Sequence, residues 1–358
     1  MVDPVVTALD TAASPLLARH GAVPAEGPDA PVAWHYGDPV VEQRALLAGA
    51  AATDLSHRGV LRVTGSDRLG WLHSLTTQHL SGLAPGASTE ALVLSPHGHV
   101  EHALHLVDDG EATWITVEPG TAPALAEWLD RMVFMKRVEV DDVTADWAVV
   151  GRHLGGDDPV TAVLPGLEGT VVWDDPWPAV GEGSVSYAGE GEHPALEAGA
   201  VWRWQERLVP RAGLAAALDG VPLAGTWAVD ALRVAARRPR LGFETDHRTI
   251  PHELDWLRTA VHLRKGCYRG QETVARVHNL GRPPRRLVFL HLDGSGHGLP
   301  AAGAPVALGG RVIGRVTTPA RHHELGPVAL AVVKRSVPPA EVLDVEGTPA
   351  AQEVVVAP

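Results

Sequence analysis

The spacing of hydrophobic residues predicts a mixture of helices and strands in the first two thirds of the chain. Apolar residues recur every three or four positions, as in a helix, in residues 39–54, 66–75, 121–132 and 226–236. Strand-like alternation with polar residues occurs in residues 59–63, 89–106, 112–117 and 201–208. Because helices and strands do not alternate strictly along the chain, this order predicts an α+β fold rather than a doubly wound parallel sheet.

The pattern changes after a cluster of helix-breaking residues, Gly281, Pro283 and Pro284. Short alternating segments separated by turn residues follow at residues 286–292, 305–308, 312–317, 328–333 and 353–356. Several short strands at this spacing are typical of a small antiparallel β-barrel. We therefore predict a domain boundary near residue 283 and a C-terminal barrel domain over residues 283–358.

Two segments lack sustained periodicity. Residues 1–37 are expected to form a loose leader, because residues 1–33 are rich in alanine and proline. Residues 155–198 are rich in Gly, Pro, Asp and Glu and are expected to be a loop-rich part of a domain, with short strands at residues 160–164 and 171–173.

Composition and charge narrow the class of protein. The chain has 358 residues, of which 45% are hydrophobic and 20% charged, as in an ordinary globular protein. Its formal net charge of −13 disfavours general binding to nucleic acid or to anionic membranes. The first thirty residues do not fit a signal peptide, and no apolar run is long enough to cross a bilayer. We therefore expect a cytoplasmic protein with no nucleic-acid or membrane partner.

The cysteine count restricts the chemistry further. Cys267 is the only cysteine, which excludes an intramolecular disulfide and any metal site built from several cysteines of one chain. Lysine is also rare, with residues only at positions 136, 265 and 334. One of these three lysines therefore stands two residues before the only thiol.

Most enzyme signatures are absent, since the chain has no Walker A loop, dinucleotide-binding glycine motif, H-E-x-x-H or G-x-S-x-G. A histidine-rich strand offers one metal-binding hypothesis, because alternate residues share a face. Its candidate ligands are His97, His99, Glu101, His102 and His105. The alternative is that these histidines, like the pair His322 and His323 in a predicted hairpin, lie on solvated faces.

One eight-residue segment carries specific chemistry. It reads Lys265, Gly266, Cys267, Tyr268, Arg269, Gly270, Gln271 and Glu272. The two glycines permit a tight turn, and Gln271 begins a predicted helix, so the thiol lies just before a helix N-terminus. Helix ends of this kind and flanking cations stabilise a thiolate, which predicts a nucleophilic or metal-ligating cysteine with Lys265 and Arg269 as charge partners. The alternative is a small buried residue in a glycine-rich turn.

This segment resembles the signature of the YgfZ family, folate-binding proteins related to iron–sulfur clusters. The family is paralogous to T-protein, the aminomethyltransferase of the glycine cleavage system. The resemblance covers about residues 38–335 and is supported by residues 55–65, 69–77, 95–98, 231–233, 250–253 and 310–318, with a glycine at position 242. It implies a T-protein-like ring of three domains around a central folate cavity, in which residues 38–282 form an aminomethyltransferase-like region of two intertwined subdomains.

The resemblance also implies ligands and contacts. Tetrahydrofolate is the expected cofactor, with Arg233, Glu253 and Tyr268 near its pterin or aminobenzoyl group. The alternatives are a helix-surface ion pair for Arg233, an exposed loop carboxylate for Glu253 and simple packing for Tyr268. A basic cluster is expected to attract the glutamate tail of a polyglutamylated folate. Its members are Arg237, Arg238 and Arg240, for which a solvated face is the alternative.

One departure from T-protein decides the functional prediction. The resemblance would place an essential aspartate pair in the strand after Gly98, but residues 99–103 contain no aspartate, and Glu101 or His102 restores no matched pair. We therefore predict a tetrahydrofolate-binding accessory protein that supports iron–sulfur cluster assembly or repair through Cys267, together with iron–sulfur client or assembly proteins. The alternatives are a T-protein-type aminomethyltransferase or demethylase, and a folate-buffering module with a structural cysteine.

Overall fold

The protein, described from a computed structural model, divides into two compact units. The described residues are 12–155, 171–189, 193–197, 199, 202–294 and 298–358. The first unit holds the described residues up to Val93, then His102–Pro176 and Arg203–Val229. The second holds Leu94–Glu101, the described part of Trp177–Trp202, and that of Asp230–Pro358. The predicted strand at residues 160–164 lies outside the described residues.

Helices and strands of the described residues follow each other in mixed order. The helices are α1 (Pro39–Leu47), α2 (Arg68–Leu75), α3 (Ala122–Arg131), α4 (Pro194–Glu197), α5 (Leu214–Ala217), α6 (Thr226–Ala235) and α7 (Gln271–Leu280). The strands of the first part are β1 (Val23–Pro24), β2 (Ala33–His35), β3 (Thr53–Asp54), β4 (Gly59–Thr64), β5 (Ser88–Leu94), β6 (Val100–Asp108), β7 (Ala112–Val117), β8 (Glu139–Asp142), β9 (Trp147–His153), β10 (Val172–Asp174) and β11 (Trp204–Pro210). The last strands are β12 (Arg285–Leu292), β13 (Pro305–Leu308), β14 (Arg311–His322), β15 (Gly326–Lys334), β16 (Val342–Val345) and β17 (Thr348–Val354).

A five-stranded sheet and the helices α2 and α3 form the main core of the first unit. The strand order is β5-β6-β7-β4-β8, with Leu61 opposite Ile115 in the antiparallel β4–β7 pair. The apolar stripe of α3 covers this sheet through Leu125 and Leu129, both fully buried. The predicted helical spacing is therefore confirmed here, although Met132, which extends the same stripe, follows the helix and is exposed.

A closed antiparallel barrel ends the second unit. Its six strands follow the order β12-β15-β14-β13-β16-β17, and β17 pairs with β12 to close it. Alternating residues of the strands point into an apolar interior that includes Val288, Leu290, Val316 and Ala331. The predicted α+β class and C-terminal barrel are confirmed, while the short strand β16 was not predicted.

Two expectations differ from the structure. The helix expected over residues 39–54 ends at Leu47, because Gly49 adopts a left-handed conformation (φ +73°) that terminates helices. The described part of the expected loose leader is ordered, since Leu16 is 1% exposed within an apolar cluster that includes Ala148 and Leu214. Among the described residues, no helix has the length and apolarity needed to span a membrane.

Candidate functional site

The eight-residue segment around Cys267 forms a loop that leads into α7. Gly270 precedes the helix in a left-handed conformation (φ +83°), which glycine adopts without strain. Gln271 begins the helix, and the exposed Glu272 lies in its first turn, where a carboxylate interacts favourably with the helix dipole. The predicted helix start is therefore confirmed, and Cys267 is exposed in the loop before it.

Two glycines hold this loop against the turn between β5 and β6. A Cβ atom at Gly270 would lie 2.6 Å from the Ser95 carbonyl oxygen and 3.0 Å from the Gly98 Cα. A Cβ atom at Gly98 would in turn lie 2.7 Å from the Thr273 Cβ. By contrast, a Cβ atom at Gly266 would meet no atom within 4 Å. The close approach of the two backbones thus requires Gly98 and Gly270, but places no such demand on Gly266.

Both predicted charge partners of the thiol have other neighbours. The Lys265 ammonium lies over the Tyr268 ring, 5.0 Å from its centroid. The Arg269 guanidinium donates to both carboxylate oxygens of Glu101, at 3.0 and 3.4 Å. Activation of the Cys267 thiol by these cations therefore stays a prediction, while the Arg269–Glu101 pair ties the loop to strand β6.

Lys265 is buried, and burial lowers the pKa of its ammonium from 10.5 to about 8. We expect Lys265 to titrate near pH 8 in the folded protein. Between pH 8 and 10.5 the unfolded chain keeps this proton more fully than the folded one, so the contribution of Lys265 to stability rises with pH in that window.

Reductive ¹³C-methylation and NMR can measure this titration, because the chain contains only three lysines. The variant Lys265→Arg identifies the relevant signal, and Lys334→Arg is the matched control. A midpoint above pH 10 for the Lys265 signal would contradict the expected effect of burial.

Tyr268, one of the three residues predicted to contact folate, is 7% exposed. Burial raises the pKa of its hydroxyl above the ordinary value of 10.0, so the side chain stays neutral over the physiological range. Its ring lies under the Lys265 ammonium, as described above. Contact between Tyr268 and folate stays a prediction.

Arg233, the second predicted folate contact, lies in a buried polar network. Its Nη1 donates to Glu244 and to the Arg238 carbonyl, both at 2.8 Å, and its Nη2 donates to Thr318 at 3.0 Å. Its Nε donates to Asp230 at 3.1 Å. The ion pair expected as an alternative therefore exists, but in the interior rather than on a helix surface.

Glu253, the third predicted contact, is also buried, at 1% exposure, so the exposed loop carboxylate expected as an alternative is wrong. Its two carboxylate oxygens accept from Arg285 at 3.0 and 2.7 Å, and Arg285 also binds Asp246. The polar groups of Arg233 and Glu253 thus have partners within the unit. Contact between either residue and folate stays a prediction.

The three arginines expected to form a basic surface are buried, at 0, 4 and 9% exposure for Arg237, Arg238 and Arg240. The prediction that these arginines form a surface for the glutamate tail of folate is therefore wrong, and so is the alternative that they lie on a solvated face. Arg237 lies 4.2 Å from the Phe289 ring centroid, and the other two guanidinium groups also lie over aromatic rings. Aromatic faces attract these cations and make their burial less costly.

The histidine-rich strand forms no metal site among the described residues, where no group of three or more histidine, cysteine or acidic side chains could hold an ion. His105 stacks on Trp173 with ring centroids 3.7 Å apart and contacts the buried Glu206 at 3.0 Å. The pair His322 and His323 is also buried, not solvated as expected, and burial lowers the pKa of His322 to about 4.

Sequence reasoning missed Glu244 and Arg285, which organise the surroundings of two predicted site residues. Glu244 accepts from Arg233, and Arg285 donates to Glu253. The only feature of the sequence singled out near Glu244 is Gly242. The only one near Arg285 is the preceding pair Pro283 and Pro284, which predicted a domain boundary. Neither signal indicates a charge partner, because these pairs form only in the folded chain.

Comparison with known proteins agrees with this architecture. Residues 16–152 match the GCVT N-terminal domain family. An aminomethyltransferase of Symbiobacterium thermophilum is 29% identical over 317 residues, covering 83% of this chain and 80% of its own length. A putative chloroplastic transferase of Arabidopsis thaliana is 26% identical over 285 residues, and the match spans 75% of this chain but only 62% of that relative.

The fold is shared with a solved structure. The glycine cleavage system aminomethyltransferase T of Bartonella henselae superposes with a TM-score of 0.72 at 20% identity, covering 96% of this chain and 95% of that one. The predicted T-protein-like fold is therefore confirmed. In sequence and in fold the chain is therefore similar to aminomethyltransferases of the GcvT type.

Proposed function

We propose that this protein is a YgfZ-type accessory factor of the cytoplasm that binds tetrahydrofolate and supports the assembly or repair of iron–sulfur clusters through Cys267. The observation that carries the proposal is the position of the chain's only thiol. Cys267 is exposed in a loop that Gly270 fixes against the turn between β5 and β6. Folate binding is supported by the T-protein-like fold, and Arg233, Glu253 and Tyr268 are its proposed contacts.

In this proposal the cluster is a substrate and not a resident cofactor. One thiolate cannot hold a cluster alone, so Cys267 contributes one sulfur ligand while the client protein or a second thiol supplies the others. The thiol releases its proton to solvent as its sulfur binds iron. An exposed cysteine is suited to such a transient, shared role.

A T-protein-type aminomethyltransferase is the second candidate, and the names of the relatives favour it. Two observations support the first candidate instead. Residues 99–103 contain no aspartate, and the only carboxylate among them, Glu101, is engaged by Arg269 of the cysteine loop. A carboxylate held in that ion pair is a poor substitute for a pair that assists a folate nitrogen.

We expect Cys267→Ser to abolish the ability of this protein to restore iron–sulfur enzyme activity in a deletion strain under oxidative stress. The variant should still bind tetrahydrofolate in calorimetry, because the substitution changes one exposed atom. Gly266→Ala is the matched control, since its Cβ meets open space in the same loop.

Three results separate the candidates. Full rescue by Cys267→Ser would refute the role of the cysteine. Absence of tetrahydrofolate binding to the wild type would refute the folate part alone. Turnover of an aminomethyl or methylamine donor by both the wild type and Cys267→Ser would favour the transferase.

A further inference from the structure

A groove on the second unit lies beside the cysteine loop and has no role in the proposed function. It is bounded by residues 183–185, by residues 263–264 and by the last turns of α7, and its volume is about 400 Å³. This volume falls within the range of about 300–1,000 Å³ that is usual for small-molecule sites. We refer to it as the α7 groove.

The wall of the α7 groove is held in place by hydrogen bonds. The Leu263 amide donates to the Gly183 carbonyl, and the Ser184 hydroxyl donates to the Val261 carbonyl, both at 2.8 Å. Gly183 has a left-handed backbone (φ +69°), and a Cβ atom there would lie 2.2 Å from the His262 ring. The groove is therefore preformed, which lowers the entropic cost of binding a ligand.

The lining combines an apolar patch with a larger polar surface. Val185, Leu263 and Ala275 are half-buried and supply the apolar surface. Arg264 and Asn279 also line the groove, and neither side chain has a hydrogen bond or an ion pair with any described residue. This composition suits a ligand with an apolar body and one polar end.

The charged groups in and around the α7 groove indicate which polar group of a ligand would bind there. The planar guanidinium of Arg264 can bind a carboxylate through two parallel hydrogen bonds, and the Asn279 amide can add a third. His278 also lines the groove, and its Nδ1 lies 3.1 Å from the Tyr187 hydroxyl. Glu182, which is exposed and precedes Gly183, and the negative end of the α7 dipole repel any anion, but they repel a doubly charged phosphate more strongly than a singly charged carboxylate.

We propose that the α7 groove binds a small monocarboxylate with an apolar body, whose carboxylate pairs with Arg264 while its body packs on Val185, Leu263 and Ala275. Binding here is separate from the chemistry of Cys267 and does not depend on the proposed function.

Titration calorimetry with benzoate and hexanoate tests this proposal. We expect at least one of these carboxylates to bind saturably, and its neutral amide and inorganic phosphate to bind at least about tenfold more weakly, since the charge-assisted pair is lost or mismatched. Arg264→Gln should weaken carboxylate binding about tenfold or more. Arg276→Gln, at an exposed arginine of α7 that does not line the groove, should change it less than twofold.

Ala275→Trp, which fills the groove, should abolish binding, and thermal melting verifies that each variant is folded. Three outcomes overturn the proposal. The first is that neither carboxylate binds saturably. The second is that the wild type and Arg264→Gln bind the carboxylate with equal affinity. The third is that phosphate binds more tightly than both carboxylates.

Discussion

Replacing Glu244 with alanine is expected to lower the free energy of unfolding by about 3–5 kcal/mol, because it breaks a buried ion pair and leaves Arg233 with Asp230 as its remaining carboxylate partner. Glu244 is fully buried and accepts four hydrogen bonds. The donors are Arg233, the Arg240 amide, Thr317 and Thr318, at 2.8, 2.8, 2.9 and 2.5 Å. All four donors would lose Glu244 as an acceptor, and of the two threonines Thr317 would keep the Leu330 carbonyl at 2.9 Å.

Chemical denaturation of the full chain measures this effect. Glu244→Gln, which keeps one acceptor oxygen and the side-chain volume, should fall between the wild type and Glu244→Ala. Glu127→Ala is the control, because its pair with Arg131 lies on the surface, where such pairs add little stability. If Glu244→Ala and Glu127→Ala unfold at the same denaturant concentration, the network does not stabilise the fold as described.

Gly270→Ala is expected to destabilise the protein by about 1–3 kcal/mol from backbone strain alone, and by more when the steric clash is added. The left-handed backbone is unfavourable for alanine, and the new Cβ would lie 2.6 Å from a carbonyl oxygen that cannot turn aside easily. The loop that carries Cys267 would then separate from residues 95–98. We therefore expect Gly270→Ala also to lose activity in the complementation assay.

Gly266→Ala is the matched control for this prediction, because it adds the same methyl group to the same loop in open space. Its free energy of unfolding should lie within about 0.5 kcal/mol of the wild-type value, as is usual for substitutions on the surface. Equal destabilisation by both variants would mean that the contact between Gly270 and the turn is not tight.

Periodicity predicted the elements that have a continuous apolar stripe. The helix α3 and the barrel strands are recognisable because their buried residues recur at the spacing of one face. The strand β16 escaped prediction because it begins with two adjacent apolar residues, Val342 and Leu343, of which only Leu343 is buried, so its sequence does not alternate strictly. The end of α1 was missed because Gly49 stops a helix whose apolar pattern continues beyond it.

Local sequence located the cysteine loop but could not identify the partners of its charges. Arg269 pairs with Glu101, and Arg237 pairs with Glu353, each across more than a hundred residues of chain. A run of three arginines therefore suggested a charged surface, whereas aromatic rings and distant carboxylates make their burial possible. Such partners are determined by tertiary packing, which one sequence does not reveal.

The discontinuity of the second unit has a consequence for the order of events during synthesis. The first unit is complete once Val229 has left the ribosome, but Leu94–Glu101 belongs to the second unit, most of which follows Asp230. Domains generally fold from the N-terminus as the chain leaves the ribosome, so the strands β5 and β6 are available for pairing early. The turn between them, which bears Gly98, can make its contact with Gly270 only after Gly270 has also emerged. The newly made chain therefore acquires its cysteine loop only after the first sheet can form.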